Sequence, residues 1–438
     1  MSEMNSLTLN GKTYDCFVDD VARSSLMICS VSGESIAVSD SSDQPLVGLN
    51  LYGKSTQAGS PTPDAPVDIV SAGDDGEIKC ELMGKNLFDA GNLKLTTNAK
   101  LSVLDDGYTI TATGGKGVSY ASSRYDLPLS LRGKNLCLVV DSISTEQKVA
   151  VSAQVNVETP DKMDYFLATT EKNAISFAVP SNATRITIGV YTNNSSATLS
   201  TDNTVTVKGM RLMLVENKAY GWTKAVDDQG ITLSRTLRGV PVTDKTLATY
   251  TDVNGQMWCA DEIDFERGVL VQRVYAHTFT EHNVDYLVYS ESDAGNSFTL
   301  GIGFTRDLPP ILSNNSTSCV MSDIATGISN NERGNKDFFS VYCADGNHII
   351  FRDSIENTVL FDTFKDGLPG REIIYILATP IETPLTDEEI AAYKALHTNK
   401  PSTTVLNDSG AFMSVKYIAD LKSYIDNKVS GILTATVE

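Results

Sequence analysis

The chain has 438 residues, 41% of them apolar, and a formal net charge of −20, so it is long enough for two to four domains with their own cores. Phosphate binding needs clustered Lys and Arg, so this charge argues against a nucleic-acid partner and against an anionic membrane surface. No run approaches the roughly 18 apolar residues of a membrane span, and the opening MSEMNSLTLNGK has no apolar stretch of the kind a secretory signal needs.

The first fifty residues read as short strands broken by turns. Asn10-Gly11 sits between LTL and KTYDCFV, a strong hairpin signal. MICSVSGESIAVSD predicts a second hairpin around Ser32-Gly33, and LVGLNLYG a further strand. Next comes GKSTQAGSPTPDAPVDIVSAGDDG (53–76), with Pro61, Pro63 and Pro66 closely spaced. Proline fixes its own φ and pushes the preceding residue extended, which predicts a stiff strut between two β units. Residues 1–83 are therefore expected to form an N-terminal β attachment unit with this strut.

From Gly84 to about residue 226 strand follows strand: YTITAT, LCLVV, VAVSAQVNV, AISFAV, TRITIGVY, TVTVKG and MRLMLVE. Short strands with frequent turn residues indicate a β-sandwich. GKNL recurs at Gly84–Leu87 and Gly133–Leu136 as a local turn device. Residues 227–269 read as a hairpin-rich connector with Asn254-Gly255 at its tightest turn, and 270–380 as a second sandwich. In 381–438 the texture changes. Thr386 followed by Glu389, with Asp387 and Glu388 between them, is a capping box opening a helix. Ile418, Leu421, Ile425 and Ile432 follow a three-and-four spacing that predicts a second, docking helix. The fold class expected is mainly β and multidomain: two jelly-roll-like antiparallel β-sandwiches, hairpin-rich connectors and short C-terminal helices.

Catalytic patterns are poor. His277, His282, His348 and His397 are the only histidines, and none lies in HExxH or beside a GxSxG elbow. In ADEIDFERG (260–268), Glu262, Asp264 and Glu266 alternate with Ile263 and Phe265, which is the pattern of a half-buried strand rather than of a catalytic carboxylate pair. TDVNGQ (251–256) lacks the ligand count of a calcium loop and reads as a turn. Cys16, Cys29, Cys80, Cys137, Cys259, Cys319 and Cys343 are odd in number and contain no CxxC pair, so reduced core cysteines are expected. No enzyme activity, cofactor or metal is expected. A sugar ring stacks on a flat aromatic with polar groups beside it. Tyr120 and Tyr125 near Arg124 and Asp126, and Tyr220 with Trp222, are the candidate glycan-binding residues. Core packing is the competing role for Trp222 and Trp258.

Four segments in order give the chain a familiar look: LYGKSTQAGSPTPDAPVDIVSAGDDGEI leading to GKNLFD; TLRGVPV to FERGVLVQRV (236–274); YILATPIETPLTDEEIAAYKALHTNKPSTTVLNDSGAFMSV (375–415); and KYIADLKSYIDNK (416–428). This ordered set resembles tail-associated proteins of bacteriophages and prophages of Gram-positive bacteria. The resemblance implies a virion protein of the tail tip, baseplate or tail fibre, made in the host cytoplasm. It also implies that 84–226 is a jelly-roll module similar to carbohydrate-binding modules. Expected partners are other tail proteins, a bacterial surface polysaccharide or teichoic acid, and further copies of the chain. A homotrimer is the favoured assembly, with Ile418, Leu421, Ile425 and Ile432 as oligomerisation candidates. A purely architectural baseplate or connector protein, binding only virion proteins, is the alternative.

Overall fold

A computed structural model describes residues 4–9, 12–18, 24–31, 35–39, 44–84, 86–88, 93–95, 99–104, 107–112, 115–116, 123–127, 131–145, 151–169, 171–192, 198–199, 203–214, 229–284, 287–292, 295–301, 308–333, 338–353, 360–399, 402–407 and 410–419. The protein is mainly β and multidomain, built almost wholly of antiparallel sheets. The described α-helices, Glu281–Val284, Phe361–Gly367 and Asp387–Lys394, are short. None of the described helices is long and apolar enough to cross a membrane.

Among the described residues, three large apolar cores organise the chain. The first gathers Leu49, Leu51, Ile78, Leu82, Ile231, Ile263, Val405 and Met413, which come from widely separated parts of the sequence. Strand Gly48–Tyr52 lies between Phe412–Ala419 and Glu262–Asp264, so that Leu51 is opposite both Met413 and Ile263. Strand Ile78–Gly84 likewise lies between Gln229–Leu233 and Ser402–Asn407. Segments expected to form separate N-terminal, connector and C-terminal units thus complete one another's sheets. Helix Asp387–Lys394 closes this core with Tyr393, and its first turn is capped as expected: Glu389 N donates to Thr386 Oγ1 (3.2 Å) and Thr386 N to Glu389 Oε2 (2.8 Å).

The second core belongs to 84–214. A five-stranded sheet runs in the order Met163–Ala168, Val151–Glu158, Arg185–Thr192, Ser123–Leu127, Lys94–Leu95. It shares one core with a four-stranded and a three-stranded sheet, through Val155, Ile188, Ile110, Val207, Leu138 and Leu212. The third core centres on stacked aromatics, with Phe298 and Phe364 at 4.5 Å between centroids and Phe339 and Phe351 at 6.2 Å.

The junction between the first and third cores is held by Asp261, which is 3% exposed. Strand Val269–Thr278 pairs with Glu262–Asp264 on one side and Glu372–Pro384 on the other, with a bulge between Gln272 and Val274. Asp261 Oδ1 accepts from Arg273 N (2.8 Å) and Val274 N (2.9 Å), and its Oδ2 accepts from Arg238 N (2.9 Å). The carboxylate therefore satisfies the backbone that the bulge frees. Burial pushes its pKa up to about 6, against the pull of these three N–H groups.

Three sequence expectations are corrected. Strands Ser24–Val31 and Ser35–Ser39 do not form the hairpin predicted at Ser32-Gly33. The first pairs with Lys12–Val18 and Phe412–Ala419, the second with Ser402–Asn407, so the chain changes sheets there. The proline-rich stretch is not a straight strut. Ser55–Thr56 pairs antiparallel with Val70–Ser71, and Thr62 and Ala65 exchange backbone hydrogen bonds of 3.1 Å across Pro63-Asp64. Pro63, whose fixed φ suits the second position of a turn as well as an extended run, turns the chain back on itself. Both arms dock on the unit with the third core, where Val67 N of the returning arm donates to Asp323 O (2.7 Å) and Gln57 Nε2 of the outgoing arm to Ser322 O (2.9 Å). Finally, Ile418 lies in strand Phe412–Ala419, opposite Met27, rather than in a helix. The strand pairing offered by Ser24–Val31 outweighs the helical spacing. Leu421, Ile425 and Ile432 lie outside the described residues.

Candidate functional site

Strand alternation in the five-stranded sheet separates a core face from a polar face. Ala153, Val155 and Val157 enter the core with Ile186, Ile188 and Val190 from the neighbouring strand. The residues between them, Ser152, Gln154 and Asn156, and Thr187, Gly189 and Tyr191, fall on the opposite face. The register aligns these in rows: Gln154 faces Gly189, Asn156 faces Thr187, and Ser152 faces Tyr191. On the outer strand Tyr165 is registered opposite Asn156, and it is 57% exposed. The row thus ends in an open aromatic ring beside the half-buried Asn156 amide, a pairing that suits a sugar's apolar face and hydroxyls, while Ser152, Thr187 and Gly189 of the same face are buried. Gln154 Nε2 donates to Asn156 Oδ1, so the two amides orient one another. The Tyr191 hydroxyl is buried without a hydrogen-bond partner.

Of the residues nominated from sequence, Arg124, Tyr125 and Asp126 lie in strand Ser123–Leu127 of this sheet, and only their backbone register is described. Arg124 is paired with Gly189 and Asp126 with Thr187, which continues the two polar rows; Tyr125 is paired with the core residue Ile188. Tyr120, Tyr220 and Trp222 lie outside the described residues. Trp258 packs as expected: it is 5% exposed, stacks near Tyr250 (6.4 Å), and donates from Nε1 to Asp252 Oδ2 (3.1 Å). Gln154, Asn156, Tyr165, Thr187 and Tyr191 were not nominated from sequence. The signal for all but Tyr165 was present in VSAQVNV and TRITIGVY, where every second residue is polar, glycine or aromatic.

A concavity of about 440 Å³ lies beside the Asp261 junction and is lined by Tyr52, Thr249, Cys259, Glu262, Arg273 and Leu377, among others. Its charges are already engaged. Glu262 accepts from Arg273 Nη2 (2.8 Å) and Asn50 Nδ2 (2.9 Å), and Arg273 Nη1 donates to Ala260 O (3.1 Å). These bonds hold the bulge and leave Glu262 committed to its neighbours. Ile263 and Phe265 are buried as their alternation predicts. TDVNGQ is a turn in which Gly255 has φ of 85° and donates its N–H to Asp252 O (3.0 Å).

Among the described residues no group of three or more His, Cys, Asp or Glu is arranged to hold a metal ion. Cys80, Cys137, Cys259, Cys319 and Cys343 are free and buried, and burial pushes the Cys80 and Cys259 thiols up to about 12. Cys16 and Cys29 lie in strands whose side chains are not described.

No protein-family model matches the chain, and no curated protein is similar to it in sequence. Among solved structures, Xylanase10C from Cellvibrio japonicus in complex with xylopentaose is similar over 32% of this chain and 27% of that chain, at 13% identity and a TM-score of 0.19. Oxalate decarboxylase from Bacillus subtilis is similar over 75% of this chain and 77% of that one, at 7% identity and a TM-score of 0.09. At these scores neither likeness bears on fold or function.

Proposed function

We propose that the protein is a structural component of a bacteriophage tail, at the tip, baseplate or fibre, and that it presents β-sandwich modules to glycans of the bacterial surface. The ordered tail-protein resemblance motivates the setting. The observation that carries the binding role is the edge of the five-stranded sheet's polar face, where exposed Tyr165 adjoins the half-buried amides Asn156 and Gln154. The protein acts without catalysis. Several copies in a symmetric tail each bind weakly and gain affinity through effective concentration. A homotrimer is the proposed assembly, and a monomer mass by light scattering at micromolar concentration would contradict it.

The test is retention of labelled protein on a panel of Gram-positive cells before and after their wall polysaccharides are stripped. Saturable binding that vanishes with the polysaccharide supports the reading. A folded protein retained by no strain refutes it. The architectural alternative draws on a different surface. Val288 (58% exposed), Tyr289 (40%) and Leu360 (69%) lie on the unit with the third core, and Tyr289 is in ring contact with Phe361 at 5.5 Å. Exposed apolar groups of this kind suit a protein partner.

A further inference from the structure

We infer that the cleft beside Asp261 is a preformed binding site for one neutral, hydroxyl-bearing ring, of the kind a pyranose sugar supplies. This goes beyond the role proposed above, because the cleft belongs to the junction of the first and third cores and shares no residue with the Tyr165 face.

The cleft is opened by a split in the central sheet. Gln272 is registered opposite Ile381 and Val274 opposite Ile376, so that Arg273 alone stands across from residues 377–380. That stretch bonds elsewhere. Ala378 N donates to Pro310 O (3.0 Å), and Leu312 N donates to Ile376 O (2.8 Å). On the other side Asp261 Oδ1 accepts from the Arg273 and Val274 amides that the split frees. Bonds on both sides therefore hold open a cavity of about 440 Å³, within the range of roughly 300–1,000 Å³ usual for small-molecule sites. Its walls can be reached from solvent: Tyr52, Leu247, Arg273 and Leu312 are half-buried, and Pro380 is exposed.

The polar groups select the ligand. Among the lining residues Arg273 is the one cation and Glu262 the one carboxylate. Glu262 accepts from Asn50, Arg273 and the Tyr52 hydroxyl, which nearly fills its acceptor positions. Arg273 carries five N–H donors; Glu262 and Ala260 O engage two of them, which leaves three. The cleft thus asks its occupant for acceptors. An apolar occupant would bury those donors unpaired. An anion would gain Arg273 but meet the Glu262 carboxylate, which already holds the guanidinium at 2.8 Å. Hydroxyl oxygens accept without adding charge, and the C–H face of a sugar ring suits Leu247, Leu312 and Pro380.

Methyl glycosides of glucose, galactose, N-acetylglucosamine and rhamnose, with glycerol phosphate as the anionic probe, are titrated into the full-length protein by ligand-observed NMR. The expected result is saturable binding of at least one glycoside and none of glycerol phosphate. Ala378→Trp, at an exposed lining position, should fill the mouth and weaken binding at least tenfold with an unchanged melting temperature. Arg273→Lys keeps a charge beside Glu262 but loses the planar fork, and should weaken binding at least threefold. Saturation by glycerol phosphate alone overturns the neutral class. Glycoside binding that neither variant weakens overturns the placement in this cleft. Saturation by no probe, while cell retention that depends on polysaccharide persists, overturns this inference and leaves the proposed function standing. Glycoside binding that both variants weaken, in a protein that no cell retains, supports the cleft and refutes the proposed function.

Discussion

Replacing Asp261 by Ala should destabilise the junction between the first and third cores by about 3 kcal/mol at pH 7. The substitution strips partners from three backbone N–H groups, those of Arg238, Arg273 and Val274. At about 1–3 kcal/mol for each orphaned buried donor, the loss is on the order of 6 kcal/mol. The substitution also removes a carboxylate whose pKa burial has raised from 3.8 to about 6. At about 1.4 kcal/mol per pKa unit, keeping that group ionised at pH 7 costs roughly 3 kcal/mol, which the variant regains. The same quantity fixes a pH dependence. The folded protein holds this proton more tightly than the unfolded chain, so Asp261 adds stability below pH 4 that is lost as pH rises through about 6. Urea unfolding followed by Trp258 fluorescence in a Trp222→Phe background measures both effects, because Trp258 lies in the strand that leads into Asp261. Asp261→Asn retains one acceptor oxygen for the Arg273 and Val274 amides, and should lose the pH-dependent contribution while costing less than Ala. Wild-type and Asp261→Asn stability curves that run parallel between pH 4 and 7 would refute this account of the junction. So would an Ala variant costing less than about 1 kcal/mol.

Gly53→Ala should destabilise by several kcal/mol or block folding, because the new Cβ would lie 2.2 Å from the backbone oxygen of Arg238; thermal melting checks this. Thr386→Ala removes the acceptor for Glu389 N and should cost about 1 kcal/mol, read as faster amide exchange in Asp387–Lys394. Tyr191→Phe removes a buried, unpartnered hydroxyl and should raise stability by a few tenths to about 1 kcal/mol; a loss larger than 1 kcal/mol in urea unfolding would show that the hydroxyl is satisfied.

Local signals in the sequence carried well into the structure. Asn10-Gly11 joins strands Met4–Leu9 and Lys12–Val18, with Leu9 opposite Lys12. Asn254-Gly255 turns between Tyr250–Thr251 and Met257–Ala260, and the Thr386–Glu389 box caps its helix. Each of these is decided by side chains within a few residues. What failed was decided at long range. Nothing near Ile418 in the sequence reveals that Ala419 will pair with Leu26, nor anything near Gly48 that it will pair with Lys416. Such pairings also took Ser35–Ser39 away from its sequence neighbour and folded the proline-rich stretch onto Asp323. The site was legible in the same proportion. Arg124 and Asp126 were nominated for their proximity to tyrosines, and the register gives them a different context, beside Gly189 and Thr187. Tyr165 joins that face only because its strand pairs with Val151–Glu158, although the polar alternation of Ser152, Gln154 and Asn156 was open to view.

The most direct test of the proposed role compares wild type with an Asn156→Ala, Tyr165→Ala double variant for retention on polysaccharide-bearing Gram-positive cells. Both residues lie on the polar face, and neither belongs to the sandwich core. Saturable retention of the wild type, with at least a tenfold loss in an equally stable variant, is the predicted result. Equal retention of the two proteins would contradict the claim that this face is where the protein meets the cell.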